Sequence, residues 1–424
     1  MVATVSPAAT RTSAAVHGSH NGALAVLATI FFMWGFVTVL NDVLIPHLKS
    51  VFDLTYTATL LIQFVFFGTY FLMALPGAKL IEWFGYRRSI AIGLAITGVG
   101  AAGFIPAATL PSYPLFLGAL FVLAAGITVL QVAANPYVAV IGPPQTASSR
   151  LNLVQAFNSL GTAVAPTFGG MLILANTVGG TSSHDQVLSL AQRAADALAV
   201  RWPYAGIALL LLVLAVVIYL WPLPPVPTED APDDRVNDSV WRHKRLVLGL
   251  AAIFTYVGAE IAVGSFLINY ISGPTVGNMS HADAAFYVTL FWSGAMAGRF
   301  VGSGLMRVIP PWSMLAIQSI AAALLILLSI STSGTVAIWT IVLVGLMNSI
   351  MFPTIFALAI EGLGHLTQRG SGLLIMAIVG GAIVPLIQAV IADAHGIRLA
   401  FLVPAACYLC VLYFALACRP AVRR

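Results

Sequence analysis

Charge is what this chain has least of. Asp, Glu, Lys and Arg make up 8% of its 424 residues, against 60% hydrophobic residues, and the mean hydropathy is +0.97. A soluble domain carries about 25% charged residues, so that class is excluded. Cysteine is nearly absent: Cys407, Cys410 and Cys418 all fall at the end of the chain in apolar surroundings. That excludes a disulfide framework or a thiolate metal site and leaves them as small buried hydrophobes. Catalytic constellations are also missing. His184, His281, His365 and His395 lie between apolar stretches, and the stretches hold no His-Glu-x-x-His, Ser-His-Asp or Asp-Asp grouping, so no enzyme is expected. Residues 1–20 have no apolar core and read as a polar tail rather than a cleavable signal.

What the chain has instead is long apolar runs. A bilayer core is crossed by about 20 apolar residues in a helix, and twelve such runs stand at 22–46, 57–81, 89–108, 113–141, 151–175, 203–222, 246–272, 284–306, 312–331, 335–361, 371–392 and 398–417. The expected fold is an all-α membrane protein of twelve transmembrane helices. Lys and Arg sort unevenly between the connections: fifteen lie on the side of the termini and four (Lys49, Arg193, Arg201 and Arg398) on the other. By the positive-inside rule both termini are cytoplasmic. The net charge of +5 then reads as topology and lipid contact, not nucleic-acid binding. The longest polar stretch between the runs, around 223–245, is rich in Pro, Asp and Glu and reads as a flexible linker. The expected organisation is a disordered tail at 1–21, a six-helix bundle at 22–222, the linker, a second bundle at 246–418 and a short tail at 419–424.

The second bundle repeats the first. Asp42 and Glu260 are 218 residues apart, Pro136 and Pro353 are 217 apart, and Arg150/Arg369, Gly161/Gly380 and Pro166/Pro385 are each 219 apart. Gln131 and Asn348 each stand five residues before their proline. Two like-oriented six-span halves form a parallel repeat, with a substrate site near the midplane and alternating access by rocking.

Chemistry is expected at the few polar groups inside the runs. Asn41 and Asp42 sit side by side within 31–46, and Glu260 is the other acid well inside a run. An intramembrane carboxylate costs at least about 2.5 kcal/mol, so it is expected to face a polar cavity. Desolvation brings protonation of such a group within reach of neutral pH, the basis of proton coupling, although a carboxylate among carbonyls also suits sodium. The amides Asn41, Gln63, Gln131, Asn135, Gln155, Asn158, Asn348 and Gln388 outnumber the buried charges. That balance suits a neutral polyhydroxylated solute, because amides offer hydroxyls both donors and acceptors. Trp34, Trp292 and Phe352 are candidates for apolar faces against a sugar ring. Glu82, Arg87 and Arg88, in the turn 77–88, are candidates for a cytoplasmic gate. Arg299 is expected to support packing or a gate rather than ligand.

The stretches Phe31-Phe-Met-Trp34-Gly, Asn41-Asp42, Gln131-Val-Ala-Ala-Asn135-Pro136-Tyr137, Arg150-Leu-Asn-Leu-Val-Gln155-Ala-Phe-Asn158-Ser-Leu-Gly161 and Phe352-Pro-Thr-Ile-Phe resemble the fucose permease and glucose/galactose transporter family of the major facilitator superfamily. The likeness runs over nearly all of 25–417, and Tyr256-Val-Gly-Ala-Glu260 with the 77–88 turn fits the bacterial glucose/galactose branch. The resemblance implies a multi-pass inner-membrane hexose symporter with no cofactor beyond a coupling H+ or Na+, working as a monomer. It further implies that Asp42 is linked to coupling or substrate, that Gln155 and Asn158 bind sugar and that Trp34 lines the cavity. The chain departs from the fucose permeases at three positions. It has Gln131 where they carry an acid, Glu260 where they carry Gln, and Phe352 where they carry Tyr. The expectation is therefore that the second carboxylate has moved to the C-terminal half and that fucose is not the substrate. An uncoupled facilitator, a carrier of another polar solute and a membrane sugar sensor are the alternative readings.

Overall fold

The computed structural model describes residues 22–40, 56–110, 112–172, 198, 200–221, 223–224 and 239–420. They form helices with no strand among them. The helices are α1 (Gly22–Leu40), α2 (56–84), α3 (86–109), α4 (Tyr113–Val140), α5 (Ala147–Leu172), α6 (Arg201–Leu220), α7 (Lys244–Ser272), α8 (His281–Leu305), α9 (Pro311–Ser331), α10 (Gly334–Ile360), α11 (Gly364–His395) and α12 (Ile397–Ala417).

Nine stretches among the described residues are long and apolar enough to cross a membrane. One of them, Phe64–Thr109, has 46 residues, a rise of about 69 Å against a core of about 30 Å. It therefore holds two crossings, and the break falls at Gly85, whose φ of 74° is open to glycine without a Cβ penalty. Helices α5 and α8 fall short of the apolar threshold because they carry Arg150, Asn152, Gln155 and Asn158, and His281, Asp283 and Arg299, respectively. These two helices pack against each other across the halves, and α2 packs against α11. The least apolar crossings are thus turned inward, where polar groups find partners.

Prolines shape the interior helices by leaving carbonyls unbonded. Pro136 lies inside α4. In α10, regular helix ends at Asn348 and resumes at Met351, with Pro353 one turn beyond the break. Lacking an N–H, Pro353 cannot bond the carbonyl of Ser349, four residues back. That carbonyl accepts from Arg299 Nε at 2.9 Å instead.

The repeat is visible in packing. A Cβ placed on Gly161 would lie 2.2 Å from the Phe32 carbonyl oxygen, and one on Gly380 would lie 2.0 Å from that of Phe254. Each glycine lets the fifth helix of its half touch the first, the small-residue contact by which membrane helices approach closely. Gly161→Ala and Gly380→Ala should each lower the thermal unfolding midpoint in detergent sharply, because backbone must move. Gly206→Ala, which meets nothing within 4 Å, should leave it unchanged.

Candidate functional site

Polar groups in the first half form a connected ladder. Gln131 on α4 donates through Nε2 to the Tyr70 hydroxyl on α2 at 2.6 Å. One turn on, Asn135 donates to the Gln131 carbonyl at 3.0 Å and accepts at Oδ1 from Gln155 Nε2 on α5 at 3.3 Å. Asn158, three residues along α5, donates to the Phe31 carbonyl on α1 at 2.9 Å. The i, i+4 and i, i+3 spacings that put these amides on common helix faces are therefore used, and four helices are stitched together. Gln131, Asn135 and Gln155 are buried, and their bonds to one another meet the demand that buried polar groups be paired.

The polar centre of the second half is built on α7. Tyr256 and Glu260 stand one turn apart, and the Tyr256 hydroxyl donates to the Asn348 carbonyl on α10 at 3.0 Å. Glu260 pairs with Arg299 of α8, Oε1 to Nη2 at 3.7 Å, both side chains being largely buried at 12% and 13% exposure. Tyr408 of α12 faces Glu260 and Asn348. The Asn348 side chain sits against the Tyr408 hydroxyl, and the buried amide of Gln388 makes no hydrogen bond among the described residues. The Gln388 amide is open to a small polar partner, since an unmet buried group carries a penalty of about 1–3 kcal/mol.

Arg299 joins the two centres. Besides Glu260 and the Ser349 carbonyl, its Nη1 donates to the Ser159 hydroxyl on α5 of the other half. Ser159 follows Asn158 and is one turn from Gln155, to whose carbonyl it donates at 3.1 Å. The guanidinium thus links the acid of one half to the ladder of the other.

Other expected site residues are more dispersed. Trp34 is buried with its ring 5.0 Å from that of Phe31. Trp292 lies over Gly264, with a ring atom 3.0 Å from where that residue's Cβ would be, and is 41% exposed. Phe352 is half-buried beside Phe356. Asn41, Asp42 and the Gln63 side chain lie outside the described residues. Tyr70, Tyr256 and Ser159 were not expected in the networks. The four-residue spacing of Tyr256 to Glu260 was a usable signal, whereas nothing in the sequence around Tyr70 marks it.

The arginine-rich face closes the halves against each other. Arg369 Nε pairs with Glu82 Oε1 at 2.8 Å, Ser149 Oγ donates to the Ser303 carbonyl at 2.6 Å, and Asn152 donates to Thr354 at 3.2 Å. Arg87 and Arg88 line a recess of about 1790 Å³ on this face, shared by both halves. Arg150, the counterpart of Arg369, turns to its own half and donates to the carbonyls of Val138, Ala139 and Pro143 at the end of α4. Its guanidinium is thus used within the first half, whereas that of Arg369 reaches across to Glu82. The Glu82–Arg369 pair is 31% and 64% exposed and is worth less than about 1 kcal/mol, so buried contacts carry most of the closure.

The Major Facilitator Superfamily model matches residues 24–378. A glucose/galactose transporter of Brucella abortus biovar 1 (strain 9-941) is 51% identical over 417 residues, covering 98% of each chain. The L-fucose-proton symporter of Escherichia coli (strain K12) is 36% identical and covers 92% of each. The crystal structure of the transporter FucP in the outward conformation matches with a TM-score of 0.87 at 35% identity, over 95% of this chain and 100% of that one.

Proposed function

The chain belongs to the Major Facilitator Superfamily of membrane transporters, and on that premise we propose that it imports a neutral hexose, glucose or galactose, together with a proton. The ladder from Gln131 through Asn135 to Gln155 carries this reading. It is a buried, uncharged array with both donors and acceptors, the chemistry that sugar hydroxyls require. A sugar entering between the halves takes over bonds the amides now make to each other, so binding exchanges hydrogen bonds rather than desolvating idle groups. Asn158 and the buried amide of Asn348 extend the array to both halves, and Trp34, Trp292 and Phe352 supply apolar faces. The relatives' names support a hexose and a proton.

Coupling is assigned to Asp42, from its place in the first apolar run, and to Glu260, the buried acid of the second half. The arginine-rich face is cytoplasmic in this reading, with Glu82, Arg87 and Arg88 at its gate. The contacts closing that face support an outward-directed state. The chain acts as a monomer in a bacterial inner membrane, a reading supported by networks of polar groups in both halves that a single polypeptide supplies.

Competition against radiolabelled galactose in proteoliposomes tests the substrate class. Glucose and other neutral hexoses should compete, whereas glucuronate and glucosamine, which carry charge, should not. Equal competition by the charged sugars contradicts the assignment.

A further inference from the structure

Arg299 has an unusual set of partners for a membrane arginine: an acid on α7, a freed carbonyl on α10, and a hydroxyl on α5 of the opposite half. A guanidinium has five N–H donors in a fixed fork and keeps its proton under all accessible conditions. Its position is therefore set by where its counter-charge and acceptors lie. Its counter-charge here is Glu260. Among the described residues, the remaining titratable groups facing Glu260 are the phenols of Tyr256 and Tyr408, and α10 and α11 bring no further charge to it.

We infer that Arg299 is the positioning residue that conveys the protonation state of Glu260 to the contact between the halves, and that Glu260 accepts a proton rather than sodium. The inference rests on the symport reading above and adds the part that moves. With Glu260 ionised, Arg299 is held between its acid and the Ser349 carbonyl, and its third branch staples α8 to Ser159 of α5. A proton on Glu260 removes the counter-charge. A buried guanidinium without one is strongly unfavourable, and the nearest relief is water on the arginine-rich side, since Arg299 lies within the last two turns of α8, close to its end at Leu305. Moving there breaks the bond to Ser159 and opens that side. Proton loading thus favours release of solute toward the arginine-rich face, the direction a symporter needs. Sodium suits the same place poorly, because on the Glu260 carboxylate it would sit beside the guanidinium that already pairs with that acid at 3.7 Å, and two neighbouring cations repel strongly in a low-dielectric interior.

The test is a distance measurement on the full chain in lipid nanodiscs, without sugar. Cys407, Cys410 and Cys418 are replaced, and spin labels are placed at Trp83→Cys on the first half and Val308→Cys on the second, both sites being well exposed. Double electron–electron resonance then reports closure of the arginine-rich face. In the parent, the long-distance population should rise between mildly alkaline and mildly acid buffer, and sodium should not change it. Glu260→Gln should show that population at both pH values, at least about tenfold enriched in alkaline buffer, the scale of one lost charge-assisted bond. Ser159→Ala, a gentle change, should also enrich it in alkaline buffer and flatten the pH response. Distances in both variants that match the parent, with its full pH response, would overturn the inference, as would closure driven by sodium. Because no sugar is present, such a failure leaves the hexose reading to the uptake and competition assays.

Discussion

Arg299→Leu is expected to abolish uphill accumulation of hexose and to destabilise the protein by about 3–5 kcal/mol, the cost of leaving one partner of a buried ion pair alone. The variant strands Glu260, which loses the one cation that faces it among the described residues, and it leaves the Ser349 carbonyl and the Ser159 hydroxyl without their donor. With no cation to exchange against, the buried acid no longer cycles. Restoring charge balance separates stability from coupling. Glu260→Gln combined with Arg299→Leu should recover much of the thermal midpoint, because no charge is left unpaired, yet still fail to accumulate sugar. A thermal-shift series and uptake assays on the two single variants and the double variant form a mutant cycle. Additive losses in stability would show that the pair is not coupled.

The second large effect is expected at Gln155. Gln155→Leu removes the donor to Asn135 Oδ1 and one of the amides assigned to the sugar. A site built to hydrogen-bond a hydroxyl loses heavily when its own polar groups are unmet. At about 1.5–3 kcal/mol, KM for galactose should rise roughly 10–150-fold. Gln155→Asn, which shortens the amide but keeps it, should recover part of the loss. The unfolding midpoint should fall only modestly, because Asn135 Oδ1 loses its donor while α5 remains tied to α8 through Ser149 and to α10 through Asn152. Equilibrium exchange, which needs no gradient, measures the change. An unchanged KM would remove the ladder from the binding site.

The parts of this molecule that were legible in the sequence are those governed by period and composition. The apolar runs give the crossings because hydrocarbon tolerates nothing else of that length. The offsets of 217–219 residues give the repeat, which Gly161 and Gly380 then display as matching helix contacts. The amide positions were legible because the i, i+3 and i, i+4 spacings on α4 and α5 put them on common faces. What could not be read was pairing between elements distant in the chain. Arg299 could be read only as a packing or gate residue, because its three partners come from α5, α7 and α10, up to 140 residues away. Tyr70 meets Gln131 across 61 residues. The break in α10 was foreshadowed by Pro353, but that its freed carbonyl would receive an arginine depends on how α8 is set against it. Gly85 as the point where one long helix becomes two crossings was closer to legible, since it sits in a turn already marked by charge.

The most direct measurement is uptake of radiolabelled galactose into proteoliposomes carrying the purified chain, with a pH gradient or a sodium gradient imposed separately. An inward proton gradient should drive accumulation above equilibrium, a sodium gradient should add nothing, and Asp42→Asn and Glu260→Gln should reduce the process to exchange or equilibration. Uptake that only equilibrates under both gradients, or accumulation that survives both substitutions, would contradict the coupling of a neutral sugar to a buried carboxylate.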